Sequence, residues 1–148
     1  MKKMVITGVN GFIGRHAKEY FEKEYEITGL DLAANYCGDR QPGDTMAYYQ
    51  CNMSQESAEM AAIFTGVQPD VILHCAGSAN VGASVVNPMA DLDGNLHSLY
   101  QLLLALKSFE KRLPGFFCMR YRGAVPASGK QRRRNGTGTQ TGKTGLPG

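Results

Sequence analysis

The amino-acid sequence predicts an α/β fold, a doubly wound parallel sheet of about five strands that is incomplete and is followed by a basic tail. Short apolar runs alternate with amphipathic stretches over residues 1–119, and a glycine-rich turn joins the first run to the first amphipathic stretch. The runs are too uniformly apolar to be half exposed, as is typical of parallel strands buried on both faces. Right-handed crossovers then place helices on both faces of the sheet.

The first unit is a strand, a tight turn and a helix. Residues 3–7 form a short β-branched run, which predicts a buried strand. Residues 11–23 place apolar side chains at helical spacing and charged side chains on the opposite face, which predicts an amphipathic helix. The apolar positions are Phe12, Ile13, Ala17, Tyr20 and Phe21.

The second unit begins with a strand over residues 26–30, which ends at Asp31. A loop rich in Gly, Asn, Asp and Pro follows, and residues 46–51 predict a third strand. Residues 55–64 predict the second helix, with Ser54 as its N-cap and Gly66 at its end.

The last elements are a strand over residues 70–77, a long helix over residues 88–111 and a strand over residues 115–119. Pro88 suits the first turn of that helix because its missing N–H is not needed there. Six leucines give the helix an apolar stripe, which predicts core or a subunit interface. They are Leu92, Leu96, Leu99, Leu102, Leu103 and Leu106.

The charge changes sign near residue 120. Residues 1–119 contain nine Lys or Arg and thirteen Asp or Glu, a net charge of −4, whereas residues 120–148 contain seven basic residues and no acidic one, a net charge of +7. The tail is rich in glycine and has little apolar surface to bury, so we expect it to be disordered. The break in composition predicts a domain boundary, so that residues 1–119 form one domain and residues 120–148 the tail. The composition of the tail also suggests an out-of-frame reading of a GC-rich gene.

The cysteines and the hydropathy indicate a cytoplasmic protein. Cys37, Cys51, Cys75 and Cys118 lie far apart without a C-x-x-C pair, which favours reduced thiols over a disulfide framework or a zinc site. No stretch approaches the ~18 consecutive apolar residues of a membrane span. We therefore expect no membrane and no metal.

The turn TGVNGFIG at residues 7–14 carries glycines at Gly8, Gly11 and Gly14. Glycines allow a sharp turn out of a strand and a close approach of a ligand to the main chain, and the helix that follows directs its free N–H groups at that ligand. The pattern predicts a pyrophosphate site. The alternative is a tight strand–helix turn with no ligand.

Asp31 ends the second strand, 17 residues after Gly14. A carboxylate at this position can accept hydrogen bonds from the ribose hydroxyls of an adenosine. Because a 2′-phosphate would meet like charge, the sequence favours NAD over NADP. Two alternatives stay open, a solvated loop aspartate and an NADP site in which Arg40 receives the 2′-phosphate.

TGVNGFIG, Asp31, the string DVILHCAGSANVGASVVNP at residues 70–88 and Asn95 together resemble the extended short-chain dehydrogenase/reductases. Within that group the match is to the NAD-dependent nucleotide-sugar epimerases and dehydratases, such as UDP-glucose 4-epimerase. The resemblance covers about residues 1–119, and it implies a partial NAD-binding domain of the Rossmann type.

The resemblance also implies a role for individual residues. Main chain at Asn10, Phe12 and Ile13 would line the pyrophosphate turn, and Asp31 would bind the adenosine ribose. Asn52 and Met53 would flank the adenine, although the family usually has Asp at position 52. Residues 75–77 would run beneath the nicotinamide, and Asn95 would anchor the helix or a water. The complete implied set is Gly8, Asn10, Gly11, Phe12, Ile13, Gly14, Asp31, Asn52, Met53, Cys75, Ala76, Gly77 and Asn95.

The catalytic pair of the family, Tyr-x-x-x-Lys, does not occur in this sequence. None of its seven tyrosines is followed by lysine four residues later, and residues 120–125 read RYRGAV where the family has V-Y-G. The segment that binds the nucleotide-sugar in the family has no counterpart either. We therefore expect NAD binding without turnover, and an exposed apolar edge at the fifth strand. The alternative function is a non-catalytic dinucleotide-binding module whose basic tail contacts nucleic acid or protein.

The remaining candidates carry less chemistry. His74 is expected to be a core histidine bonded to backbone, and His16 and His97 to lie on helix surfaces. The tail string GTQTGKT at residues 138–144 lacks the spacing of a P-loop, and the basic run at residues 130–134 has no aromatic residue for stacking a base, so nucleic acid is not the expected partner. The resemblance implies a homodimer through the helix at residues 88–111.

Overall fold

The computed structural model describes residues 1–55, 57–78, 80–107 and 115–118. The strands are β1 Lys2–Thr7, β2 Tyr25–Asp31, β3 Ala47–Gln50, β4 Val71–His74 and β5 Gly115–Cys118. The helices are α1 Phe12–Phe21, α2 Ser57–Val67, α3 Val81–Val86, α4 Pro88–Leu92 and α5 Ser98–Lys107, with a π-helical segment at Asp93–His97 between α4 and α5. The predicted α/β alternation is confirmed.

The five strands form one parallel sheet in the order β3-β2-β1-β4-β5. The strand order changes direction at β1: β2 and β3 lie on one side of it, and β4 and β5 lie on the other. In this register Thr7 pairs with Leu30 of β2 and with His74 of β4. Ligands of doubly wound sheets bind outside the carboxyl ends of the strands at this point of reversal.

Both faces of the sheet are covered. On one face Met4, Ile6 and Leu73 pack with Ala17 and Phe21 of α1. The other face packs against α2 and α5 through a larger apolar cluster. That cluster includes Val5, Leu30, Ile72, Met60, Ile63, Phe64, Leu102, Ala105 and Leu106. Successive residues of β1 therefore point to opposite faces, as expected of a strand buried on both sides.

The end of α2 differs from the prediction. The helix continues through Gly66 to Val67, and the left-handed residue that follows is Gln68, with φ of 54°. The N–H of Gln68 donates to the carbonyl of Phe64 at 2.8 Å, which closes the last turn. The described helix begins at Ser57 and residue 55 is still in a turn, so Ser54 is not next to the helix and its predicted role as N-cap is wrong. The Ser54 hydroxyl instead donates to the Asp93 carbonyl at 3.0 Å.

The long helix predicted at residues 88–111 is interrupted. The π-helical segment separates α4 from α5, and the N–H of Ser98 donates to the carbonyl of Asp93, five residues earlier. Leu102 and Leu106 are buried in the core, whereas Leu92, Leu96 and Leu103 are exposed, so the leucines divide between two surfaces. Residues 108–111 lie outside the described residues.

The sequence also missed α3, which begins after Asn80, whose side chain accepts from the N–H of Ala83 at 3.0 Å. Val81, Val85 and Val86 of α3 are exposed, so no apolar face marked this helix in the sequence. Within the described residues β5 pairs with β4 alone, and the side chain of Phe117 is 62% exposed, in keeping with the expected apolar edge.

The predicted tail, residues 120–148, and residue 119 lie outside the described residues. The boundary at residue 120, the disorder of the tail and its out-of-frame origin therefore stay predictions. No helix within the described part of the chain has the length and hydrophobicity that a membrane crossing needs.

Candidate functional site

A groove of about 500 Å³ runs along the carboxyl edge of the sheet, at the position that the strand order favours. Its walls come from the segments that follow β1, β2, β3 and β4, and from the π-helical segment. Nine of the thirteen residues predicted for the site line this groove. They are Gly8, Asn10, Gly11, Asp31, Asn52, Met53, Cys75, Ala76 and Gly77.

The turn after β1 requires glycine at two positions. Gly8 has φ of +67°, and a Cβ there would lie 2.6 Å from Cα of Ala76. A Cβ on Gly14 would lie 2.2 Å from the carbonyl oxygen of Gly8. The first contact brings the turn against the end of β4, and the second brings α1 against the turn. A tight turn alone therefore explains both glycines, without reference to a ligand.

The amino end of α1 provides free donors beside the groove. The N–H groups of Phe12, Ile13 and Gly14 lie in the first turn, where a helix has no internal acceptors. Gly11, the N-cap, makes no side-chain hydrogen bond to them, and the first turn contains no acidic residue. Among the described residues that line the groove, Gly11 is the last one of the turn, and Phe12, Ile13 and Gly14 follow it directly in the chain. Such an end suits an anion.

Asp31, at the carboxyl end of β2, is half-buried in the groove wall. Its Oδ2 accepts a hydrogen bond from the backbone N–H of Asn10 at 2.9 Å, and its Oδ1 accepts one from the N–H of Ala33 at 3.3 Å. Each oxygen keeps a lone pair for a further donor. The main chain thus holds the carboxylate in place, and the carboxylate can still accept hydrogen bonds from two hydroxyl groups.

Asn10 contributes more than the sequence reasoning assigned to it. The expectation concerned its backbone, whereas its side chain is also bonded, to the backbone of Asn35 and Cys37 and to the hydroxyl of Tyr48. No local signal in the sequence identified these contacts, because the partners are 25, 27 and 38 residues away.

Asn52 and Met53, predicted to flank the adenine, form the far wall of the groove. The Asn52 side chain accepts from the N–H of Ser54 at 3.2 Å and donates to the Gln55 side chain at 3.3 Å. Met53 is 5% exposed and belongs to the core cluster under α2. The thioether therefore gives the groove an apolar floor.

The opposite end of the groove is formed by the segment after β4 and by Gly94 of the π-helical segment, and the neighbouring Asn95 bonds to that segment. Oδ1 of Asn95 accepts from the N–H of Ser78 at 2.9 Å, and Nδ2 donates to the carbonyl of Ser78 at 3.1 Å. The same Nδ2 donates to the carbonyl of Asp91 at 3.0 Å. Asn95 therefore ties the segment after β4 to the helix, next to Cys75, Ala76 and Gly77.

His74 is a buried histidine whose partner differs from the prediction. Its Nδ1 lies 2.7 Å from Oγ1 of Thr7, so the expected bond to backbone is replaced by one to a side chain across the β1–β4 pair. The imidazole is 2% exposed, and burial lowers the pKa of His74 to about 4, which keeps the ring uncharged near neutral pH. Thr7, which the sequence reasoning overlooked, is fully buried and also accepts from the N–H of Ala76 at 3.4 Å.

Arg40, the candidate for an NADP phosphate, is engaged elsewhere. Its Nη1 donates to the carbonyl of Met46 at 3.3 Å, and its guanidinium lies 5.7 Å from the centre of the Tyr36 ring. Arg40 does not line the groove. The arrangement favours NAD, the cofactor that leaves Asp31 without a phosphate beside it.

A second groove of about 430 Å³ lies at the opposite edge of the sheet and contains none of the predicted site residues. Its wall holds a buried ion pair, in which Nζ of Lys18 lies 2.8 Å from Oδ2 of Asp44 and 2.6 Å from Oε2 of Glu22. Burial acts to lower the pKa of Lys18, but the hydrogen bonds to Asp44 and Glu22 outweigh it and raise that pKa. Within the described ranges no three His, Cys, Asp or Glu residues cluster as metal ligands would.

The sequence of the chain matches a known protein family. A family profile described as "NAD dependent epimerase/dehydratase family" matches residues 4–119. The dTDP-glucose 4,6-dehydratase of Salmonella typhimurium is 28% identical over 113 residues, covering 72% of this chain and 31% of that protein. The UDP-glucose 4-epimerase of Neisseria meningitidis serogroup B is 31% identical over 103 residues, covering 65% of this chain and 30% of that protein.

Solved structures agree with the sequence relatives. A complex of Thermus thermophilus UDP-glucose 4-epimerase with NAD superimposes with a TM-score of 0.62 at 27% identity, covering 72% of this chain and 34% of that chain. The Bifidobacterium longum UDP-glucose 4-epimerase, at 24% identity and a TM-score of 0.69, shares the fold. The chain spans about a third of the length of the curated relatives it matches.

Proposed function

The chain belongs to the NAD-dependent epimerase/dehydratase family, and we propose that it is the NAD-binding part of a nucleotide-sugar epimerase or dehydratase. One observation carries the proposal: a single groove is lined both by the glycine turn that leads into α1, through Gly8 and Gly11, and by Asp31 at the end of β2. A dinucleotide needs both, because it carries a pyrophosphate and a ribose diol.

The proposed contacts with the cofactor come from the turn before α1 and from the acid at the end of β2. The N–H groups of Phe12, Ile13 and Gly14 would bind the pyrophosphate, supported by the positive end of the α1 dipole. Asp31 would accept the two hydroxyl groups of the adenosine ribose, since main-chain donors already orient its carboxylate. NAD, when bound, supplies a nicotinamide that can accept and return a hydride.

The two ends of the groove would hold the bases. Asn52 and Met53 would contact the adenine, with an amide in place of the usual carboxylate of the family and a thioether beneath the ring. Cys75, Ala76 and Gly77 would support the nicotinamide half. Asn95 would keep that segment fixed through its bonds to Ser78.

The proposed substrate class is a nucleotide-sugar, the class acted on by the relatives named above. The sequence contains no Tyr-x-x-x-Lys pair that could move a proton at the sugar. We therefore propose that this chain binds NAD and does not turn over a nucleotide-sugar by itself.

The proposed assembly is a homodimer in the cytoplasm. Leu92, Leu96 and Leu103 leave apolar surface exposed along α4, the π-helical segment and α5, and a second copy of the chain would cover it. The basic tail is not required for this proposal, and specific nucleic-acid binding is not part of it.

The experiment is a titration of the purified chain with NADH, followed by fluorescence, together with an assay of epimerisation and dehydration on UDP-glucose and dTDP-glucose. We expect saturable binding and no turnover. Absence of binding at millimolar NADH contradicts the proposal. Turnover contradicts the assignment of the chain as the cofactor-binding part alone. Binding accompanied by specific affinity of the tail for RNA or DNA favours a non-catalytic module instead.

A further inference from the structure

The Asn10 side chain uses its amide oxygen and nitrogen to bind the loop that follows β2 and the strand β3. Its Oδ1 accepts from the N–H of Cys37 at 2.7 Å, and its Nδ2 donates to the carbonyl of Asn35 at 3.0 Å and to Oη of Tyr48 at 3.2 Å. One acceptor and both donor hydrogens of the amide are thereby used. The turn after β1, the loop after β2 and strand β3 meet at this one side chain.

Tyr48 extends the same contact. Its hydroxyl donates to the carbonyl of Ala33 at 2.5 Å, so backbone groups of Ala33, Asn35 and Cys37 are each bonded to Tyr48 or Asn10. Burial raises the pKa of Tyr48, and the charge of Asp31 raises it further, so the hydroxyl keeps the proton that it donates. We refer to Asn10 and Tyr48 as the loop clamp.

The loop clamp lies between Asp31 and Arg40, the two charged residues whose positions would distinguish NADH from NADPH. Asp31 directly precedes the clamped loop, and Asn10 also contributes its backbone N–H to the carboxylate. Arg40 lies further along the same loop, and its guanidinium contacts the ring of Tyr36. Tyr36 itself lies between the clamped residues Asn35 and Cys37. A 2′-phosphate beside Asp31 needs a cation in reach to offset the repulsion. With the loop fixed, Arg40 stays on Tyr36 and on the carbonyl of Met46.

We propose that Asn10 is a positioning residue that sets the preference of the groove for NADH over NADPH, by fixing the loop between Asp31 and Arg40. The inference rests on the proposed function, because it presupposes that the ribose binds at Asp31. It assigns to the Asn10 amide a role separate from that of the main chain of the turn. Release of the loop would both loosen the wall beside the ribose and free Arg40 to approach a 2′-phosphate.

The test compares Asn10→Ala with the wild-type chain in fluorescence titrations with NADH and NADPH. We expect the NADH affinity to fall about tenfold, because binding would then have to order a loop that the wild-type chain already holds in place. NADPH affinity should fall less or rise, so that the preference narrows by about fivefold or more. The matched control, Asn35→Ala, removes an exposed amide from the same loop and keeps the carbonyl that Asn10 contacts. It should leave both affinities unchanged.

Two further variants separate positioning from general damage. Tyr48→Phe keeps the ring and removes the hydroxyl that bonds Ala33. Like Asn10→Ala, it should reduce the preference for NADH over NADPH. The double variant Asn10→Ala with Arg40→Ala should lose whatever NADPH affinity the single variant retained. Alkylation of the exposed Cys37 thiol, quantified on its own peptide, should be faster in Asn10→Ala, because that variant loses the bond that holds the Cys37 backbone N–H.

Each outcome bears on a distinct claim. If the wild type binds neither dinucleotide, the proposed function fails and the inference fails with it. If the wild type binds NADH and Asn10→Ala leaves the NADH/NADPH ratio unchanged, the inference alone is overturned, whether or not Cys37 alkylation accelerates. The inference is supported if Asn10→Ala lowers the ratio of NADH affinity to NADPH affinity and the double variant with Arg40→Ala restores it.

Discussion

The carboxylate of Asp31 accepts a hydrogen bond from the backbone N–H of Asn10, with 2.9 Å between Oδ2 and the nitrogen. The end of β2 is thereby joined to the turn that precedes α1. Because the donor is main chain, the orientation of the residue at position 31 depends on the turn and not on a neighbouring side chain.

This contact makes Asp31→Asn an informative substitution. The amide oxygen can still accept from Asn10, but the negative charge beside the ribose is lost. We expect NADH affinity to fall about tenfold, since hydrogen bonds to charged groups are worth ~1.5–3 kcal/mol. NADPH affinity should not fall, because repulsion of the 2′-phosphate is relieved. Titrations with both dinucleotides test this, with the exposed Asp39→Asn as control. Equal losses for NADH and NADPH would contradict the role of the charge.

Gly14→Ala should destabilise the domain. The added Cβ would lie 2.2 Å from the carbonyl oxygen of Gly8, which is backbone and can move only if α1 shifts away from the turn. We expect a loss of ~1–3 kcal/mol in the free energy of unfolding, measured by urea denaturation.

The control is Gly66→Ala within α2, where a Cβ would meet nothing within 4 Å. Alanine there should raise the free energy of unfolding by up to ~1 kcal/mol, because it favours helix over glycine. An unaltered stability of Gly14→Ala would mean that the helix does not pack on the turn as described.

His74 should make the stability depend on pH. The pKa of His74 is lowered by burial to about 4 in the folded chain, against ~6.5 for an exposed histidine. Between these values the unfolded chain binds a proton that the folded chain does not, so the free energy of unfolding should fall as the pH drops from about 6.5 to about 4. The difference corresponds to about 3 kcal/mol over that range.

His74→Asn should remove this contribution, because an amide can face Oγ1 of Thr7 without titrating. The comparison is urea denaturation at several pH values, with His97→Asn, an exposed histidine, as the matched control. If His74→Asn keeps the slope of the wild type between pH 4 and 6.5, another group produces it.

Leu96→Glu should prevent self-association. The leucine is 59% exposed in the π-helical segment, and a buried glutamate at a subunit interface would lack a partner. Sedimentation equilibrium should give a dimer for the wild type and a monomer for the variant. Tyr20→Glu, at a 74% exposed position of α1 on the opposite face of the sheet, should remain a dimer. A wild-type monomer would refute the proposed interface.

The parts of the fold that follow from local patterns could be predicted from the sequence. The strands read as apolar runs, and α1 as an amphipathic helix after a glycine turn, because burial on both faces and helical periodicity leave a signal in neighbouring residues. Asp31 could be placed at the carboxyl edge of the sheet because the apolar run of β2 ends at this residue in the sequence.

The parts that depend on distant contacts could not be predicted. The bond between Thr7 and His74 joins residues 67 positions apart, and the side-chain contacts of Asn10 reach residues up to 38 positions away. The helix α3 has no buried side chain to leave a periodic signal. The π-helical segment begins inside an otherwise regular helical pattern. Gly66 predicts a helix end because glycine often ends helices, whereas in the structure the turn closes at Gln68.

The most direct test of the central claim follows the backbone amide resonances of the 15N-labelled chain during addition of NAD. We expect saturable shifts of the amides in the first turn of α1, at Phe12, Ile13 and Gly14, and of the amides of Asp31 and Ala33. Shifts near Lys18 and Asp44, at the opposite edge of the sheet, should be smaller. The same shifts should appear with ADP-ribose, which carries the pyrophosphate and the adenosine ribose but no nicotinamide. Absence of shifts at millimolar NAD, or shifts confined to the opposite edge, would contradict a dinucleotide site at this turn.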